Sequence, residues 1–355
     1  MKNRIFILLI GAAFFLGCEE RYFIDLNQVN TEQLVINGVI DQSSGPYYVS
    51  VQRTIGPEVF PQDVSDAEVI LLDERGHAEY CDYVGEGRYS CPGIQVNGQA
   101  GVAYHLKVQV GSRNYTSIPD RMPAITASSV LDWEEDQIKA TSAAGVDISY
   151  PSVNFNLNTE VPSLNQSVFL LWIFNETFQI RETDFPDPFG VIPPPCYVTK
   201  NVGRNKFELM AFNPERNLST NISEVIMRPV DLSFLVKHLF ITYQHSLSQE
   251  HFDYLSRVKI LSESTGSLFD RPAGRIKGNI ISDDPSDQPL GFFGAVLADT
   301  VYNVIYPNEI DYWFEDGCLY VPGKTRNDYE RFCIDCRSFS GNSTKDKPYY
   351  WDLIN

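Results

Sequence analysis

Cysteine and histidine are the side chains here best suited to chemistry, and their spacing decides which chemistry is open to them. Six cysteines, Cys81, Cys91, Cys196, Cys318, Cys333 and Cys336, follow a seventh, Cys18. An even number in an exported chain suits disulfides. Cys81 and Cys91 flank the turn Gly85-Glu86-Gly87, which folds two short strands face to face, so this pair is expected to be bridged. The other four allow three connectivities, and nothing in the sequence chooses among them. Cys333-Ile334-Asp335-Cys336 also has the spacing of a redox pair or of half a zinc site. No βαβ pattern surrounds it and no second CxxC accompanies it, so structural bridges are the stronger expectation.

The histidines His77, His105, His238, His245 and His251 form no HExxH or similar ligand spacing, and His238, His245 and His251, at or near the helix, read as core or cap residues. No G-x-S-x-G elbow, P-loop or dinucleotide fingerprint occurs. Carboxylate pairs could do glycosidic acid–base work, but 46 acidic residues offer too many pairs to single one out. Asp283-Asp284-Pro285-Ser286-Asp287 lacks the glycine and closing glutamate of a calcium loop. The sequence therefore yields no catalytic residue, no metal site and no cofactor. The proline-rich loop 184–196 carries Phe185 and Phe189, apolar anchors held by residues that lose little entropy on ordering. They are candidates for partner contact; the alternative is a rigid crossover whose phenylalanines pack on a sheet and whose Cys196 is bridged.

The elements that would position these residues are mostly strands. Short β-type runs at 34–40, 47–53, 68–73, 78–83, 88–91, 104–110 and 114–117 are separated by turn residues. Tyr104, Leu106, Val108 and Val110 alternate with His105, Lys107 and Gln109, giving one buried and one wet face. Seven such strands in under a hundred residues predict an immunoglobulin-like β-sandwich over 32–120. Pro119 and Pro123 mark a boundary, and 124–355 is expected to form a larger β-rich domain. Its runs are 153–157, 168–174, 207–212, 225–230, 239–243, 275–281 and 291–306. One amphipathic helix interrupts it at 246–263, with Ser246 to Gln249 as a capping box, Phe252, Leu255 and Val258 on one face, and Gly266 as the stop. The helix is expected to plug one end or face of the second sheet. No internal repeat argues for a solenoid or propeller.

The N-terminus reads as a targeting segment. Lys2 and Arg4 precede an apolar run from Ile5 to Leu16, and Gly17-Cys18-Glu19-Glu20 follows. That run is short of the ~20 residues a spanning helix needs, and the pattern is that of a secretory signal peptide over 1–17. Phe15-Leu16-Gly17-Cys18 resembles a lipobox, with Phe in place of the usual Leu at its first position. Cys18 is therefore the expected lipidation site, at the head of a tether over 18–31 that holds the chain to outer-membrane lipid. Each buried acyl CH₂ contributes about 0.8 kcal/mol to that hold. The acidic pair after Cys18 resembles a surface-export signal of Bacteroidota lipoproteins, so display on the outer face is expected, with a periplasm-facing anchor as the alternative.

The formal charge of −18 argues against nucleic acid as a partner, because phosphate binding needs a positive face and no Lys/Arg-rich stretch supplies one.

Set in order, these segments resemble a large family of Bacteroidota outer-membrane lipoproteins known as domain of unknown function 4249. The resemblance rests on LVINGVI at 34–40, SLSQE at 246–250, GSLFDRPAGRIKGNI at 266–280, the CIDCR stretch at 333–337 and PYYW at 348–351. It implies a gene neighbour encoding a TonB-dependent outer-membrane receptor, and hence a non-enzymatic accessory role in substrate binding or uptake. It brings no catalytic residue. An adhesion or envelope-structural module, and a hydrolase without a recognisable motif, are the competing readings. Asp299-Thr300-Val301 is similar to the short O-glycosylation pattern of Bacteroidota.

Overall fold

The structure is a computed structural model, and it describes residues 32–54, 61–142, 145–162, 166–186, 189–213, 215, 218–263, 276–312 and 315–354. Cys18, the signal segment, the tether, Gly266 and most of the 266–280 block lie outside the described residues.

Alternating apolar residues build the first unit as a two-sheet sandwich. Gln33–Ile40, Tyr47–Thr54 and Arg88–Cys91 lie side by side in one sheet. Glu68–Asp73, Ala103–Val110 and Arg113–Ser117 form the other. Ala78–Gly85 belongs to both: its first half pairs with Glu68–Asp73 and its second half with Arg88–Cys91. Ile36, Val49, Val51, Val69, Leu71, Leu106, Val108 and Tyr115 fill the space between the sheets. Burying each such aliphatic side chain is worth roughly 1.5–3 kcal/mol.

The sandwich does not close within 32–120. Phe293–Ala295 runs parallel to Gln33–Ile40, and Ile280–Ser282 is antiparallel to Arg113–Ser117, so each sheet takes a strand from far downstream. The sequence assigns both stretches to the second domain. A parallel neighbour requires a long crossover and cannot come from the next segment of chain. The run Phe292 to Val296 is buried without alternation, as expected of a strand covered on both faces.

The second unit is a larger sandwich. Ser128–Thr141, Asp147–Glu160 and Ser219–Pro229 make one sheet. The other runs Leu297–Ile305, His238–Leu247, Val168–Ile180, Cys196–Asn201 and Ser343–Thr344, with Glu208–Phe212 also pairing to the central Val168–Ile180. Phe155, Leu157, Leu170, Trp172, Phe174 and Phe240 meet in the core. The indole of Trp172 donates to the Gln244 amide oxygen at 3.0 Å and to the Ser129 hydroxyl at 3.2 Å, which ties the two sheets without leaving a buried donor unpaired.

The helix spans Gln249–Glu263, three residues shorter at its start than the sequence suggests. Ser246 and Leu247 finish the preceding strand, because Leu247 is buried against Leu171. Ser248 caps the helix instead, its hydroxyl accepting the His251 backbone N–H at 3.1 Å. Phe252 and Leu255 pack on the second sheet, while His251 and Tyr254 stack on Phe292 of the first unit. The helix is thus a wedge between the two units. No helix among the described residues is long and apolar enough to cross a membrane.

Candidate functional site

Where the helix meets the outer face of the first sandwich, a cleft of about 610 Å³ opens. Strand alternation builds one wall. Val49 and Tyr89 point into the core, so their neighbours Tyr48, Ser50 and Arg88 point outward. Asn37, Ser50 and Arg88 share one register row, and Val39 and Tyr48 the next on the same face. The Arg88 guanidinium lies 4.4 Å from the centre of the Tyr48 ring, a cation–π contact at the rim. Arg113, Arg121, Arg204, Arg228 and Arg337 each hold a carboxylate. Arg88 has no ion pair among the described residues, as is also true of Arg53, Arg75, Arg181, Arg257, Arg326 and Arg331, and of these it alone lines the cleft.

The opposite wall is aromatic. Phe292 stacks on His251, ring centres 4.6 Å apart at 16°, and on Tyr254, 5.0 Å apart at 26°. Burial pushes His251 down to about 3, with His245 adding to the effect. Burial also lowers His245, against the opposing pull of Asp41. Both imidazoles are therefore neutral, each with one donor and one acceptor nitrogen. His251 Nδ1 is buried with no hydrogen-bond partner among the described residues. Its ring fits only because residue 294 is glycine: a Cβ there would stand 2.3 Å from His251 Nδ1 and Cε1. An apolar groove with a few unspent polar groups is the usual form of a small-molecule site.

A second polar cluster looks more like catalytic machinery and is closed. Glu176 and His238 are both 0 % exposed, and His238 Nε2 lies 3.0 Å from Glu176 Oε2, while Ser233 Oγ lies 3.3 Å from His238 Nδ1. That is the order of a Ser-His-acid triad. The Ser233 hydroxyl, however, donates to Asp231 Oδ1 at 2.6 Å and accepts from Arg228, so its proton is not directed at the imidazole. Burial raises the Glu176 carboxyl, but the His238 hydrogen bond and the Arg228 and Lys200 cations outweigh it and bring it down to about 2. Burial lowers His238, leaving a neutral ring that donates its Nε2 proton to the carboxylate. With Ser233 also 0 % exposed, this network reads as a buried ion cluster that pins the strand Val168–Ile180 to Ser219–Pro229.

The cysteines pair as Cys81–Cys91, Cys196–Cys336 and Cys318–Cys333. The two members of the 333–336 spacing thus serve separate bridges, both at the C-terminal end of the second sheet. Among the described residues no group of three or more His, Cys, Asp and Glu side chains could hold a metal ion. Phe185 packs edge-on against Tyr329 at 5.3 Å beneath the Arg326 guanidinium, in a small core with the Cys318–Cys333 bridge. Phe189 is 88 % exposed, beside Val191 and Ile192, which are also exposed. The loop therefore uses one phenylalanine internally and presents the other. His77 bonds Asp73 in a turn, and burial lowers His105. Asp283 and Asp287 accept from Asn114, Arg113 and Tyr115, so their oxygens serve the sandwich.

Tyr48, Arg88, Tyr254 and Phe292 were not singled out from sequence. The available signal was weak: Tyr48 falls on the wet face of an alternating strand, and Tyr254 is off the predicted apolar stripe of the helix. A family model described as a domain of unknown function, DUF4249, matches residues 19–300. No curated protein matches the chain.

Proposed function

The chain belongs to the DUF4249 family, and from that premise we propose that it is a lipid-anchored envelope protein that binds a ligand beside a TonB-dependent outer-membrane receptor. Cys18 carries the acyl anchor, the tether spans 18–31, and the folded part faces the cell surface. The observation that carries this reading is the contrast between the two polar clusters. The triad-like group is sealed and its hydroxyl is committed to Asp231, whereas the aromatic cleft is open and keeps polar groups unspent. Recognition, not bond breaking, suits that arrangement. The exposed apolar loop around Phe189, Val191 and Ile192 supplies a face for a protein partner.

Purification from native membranes in mild detergent tests the proposal. Co-elution of a large β-barrel receptor in stoichiometric amount is the expected outcome. Its absence turns the reading toward an adhesion or envelope-structural role. Intact-mass analysis of the same preparation should show acyl groups on Cys18; an unmodified residue there removes the anchor.

A further inference from the structure

We propose that the cleft between the helix Gln249–Glu263 and the outer face of the first sandwich binds a small ligand with a flat apolar or aromatic body and one acidic group, and that Arg88 is the anion contact. The inference deepens the ligand-binding half of the function proposed above and rests on it. Three independent features point to this chemistry. The first is charge: Arg88 stands at the rim without an ion pair among the described residues, in a chain whose formal net charge is −18. An arginine fork suits carboxylate or phosphate, and the Tyr48 ring lies 4.4 Å from its central carbon. The second is shape. The stacked His251, Phe292 and Tyr254 rings offer flat apolar surface to the cleft, while the Tyr48 ring on the sheet side carries Arg88. The third is polarity. His245 lines the cleft as a neutral ring whose nitrogens bond no other described residue, so it can serve a ligand without carrying a charge of its own, whereas His251 Nδ1 is buried against Gly294.

The carboxylate lining the cleft does not oppose this assignment. Asp41 lies near His245, four residues along the strand direction from the row of Asn37 and Arg88, or about 13 Å at the usual rise. Charges so far apart at a surface are largely screened in physiological salt.

The test uses the full mature chain in mild detergent, without receptor, titrated with benzoate, phenyl phosphate and the uncharged benzyl alcohol. Calorimetry gives affinities, and the imidazole resonances of His245 and His251 report the location. At least one anion should bind saturably, shift both imidazoles and bind more tightly than benzyl alcohol. Preference between benzoate and phenyl phosphate identifies the acidic group. Arg88→Gln should weaken the preferred anion about tenfold and leave benzyl alcohol unchanged. Ser50→Trp, which fills the cleft from its outer wall, should abolish binding of all three, and keeps the test decisive if Arg88→Gln folds poorly. Equal affinity for anion and alcohol, or binding that survives Ser50→Trp, overturns the assignment. Receptor co-elution is measured separately, so a failure here leaves the partner proposal standing, and the reverse holds too.

Discussion

Asp120 shows what a single buried carboxylate does at the junction of the two units. It is 4 % exposed, accepts the Ala295 backbone N–H at 2.8 Å and also bonds the hydroxyl of the helix cap Ser248. Burial lifts it from 3.8 to about 6, and nearby Glu250 pushes in the same direction. A folded value above the unfolded one means that the protonated form is favoured in the native state. Its contribution is fully present below about pH 3.8 and is lost as pH rises through about 6. Asp120→Asn, which keeps an acceptor and removes the charge, should therefore melt higher than the parent at pH 8, by on the order of 1–3 kcal/mol. The gap should close toward pH 4; parallel melting curves would refute it. Glu176 has the opposite sign. Held at about 2, it stabilises the fold above its ordinary range and loses that contribution as pH falls through 2. Glu176→Gln removes the buried one of the two carboxylates on Arg228, leaving it Asp231 alone, and should lower stability at pH 7 by about 3 kcal/mol, the lower end for a broken buried pair, read from urea midpoints. Neither residue was legible in the sequence, because one carboxylate among 46 acquires meaning only from the atoms that surround it. The Cys81–Cys91 bridge was legible, because a local turn brings the two thiols together whatever the rest of the chain does.

Elements followed the same division between local and distant causes. Glu68–Asp73 and Arg88–Cys91 stand where alternation places them, since a half-buried strand writes its two faces into sequence. Ser128–Thr141 was missed: beyond Leu131 and Trp133 its stretch is charged and exposed on both faces, and its register comes from pairing with Asp147–Glu160. The helix start slipped because Leu247 found a buried place in the strand, which left Ser248 to act as the cap. Ser248→Ala should cost about 1 kcal/mol, together with any loss from its bond to Asp120. The bridges give a sharper comparison. Cys196–Cys336 spans 140 residues and Cys81–Cys91 spans 10. By loop-closure entropy the first restrains the unfolded chain by about 5 kcal/mol and the second by about 2–3 kcal/mol. Replacing each pair by serines should lower the urea midpoint more for the long bridge, by an equivalent of about 2 kcal/mol. Equal losses would show that local packing, rather than chain restraint, sets the value of these bonds.

At the scale of the whole molecule, the cleft exists because the first sandwich is finished by chain that has already passed through the second. Phe293–Ala295 supplies the parallel neighbour of Gln33–Ile40, and adjacent Phe292 carries the ring on which His251 and Tyr254 stack. The strand that closes the fold thus also builds the wall of the site. Sequence alone placed a boundary at the prolines near 120, because composition changes there, while a parallel pairing across some 250 residues leaves no local mark. A chain of residues 32–123 should therefore fail to fold as a unit. It would lack Ile280, Phe293 and Ala295 from its core and would expose the whole edge of Gln33–Ile40, an open invitation to intermolecular pairing. The expected result is no cooperative melting transition and concentration-dependent aggregation. Joining residues 276–298 to 32–123 through a flexible linker should restore a cooperative transition, because those residues return both missing strands. If 32–123 alone melts cooperatively near the temperature of the full chain, the downstream strands are ornaments on an independent domain. In that case the cleft wall is free to move relative to the sheet it faces.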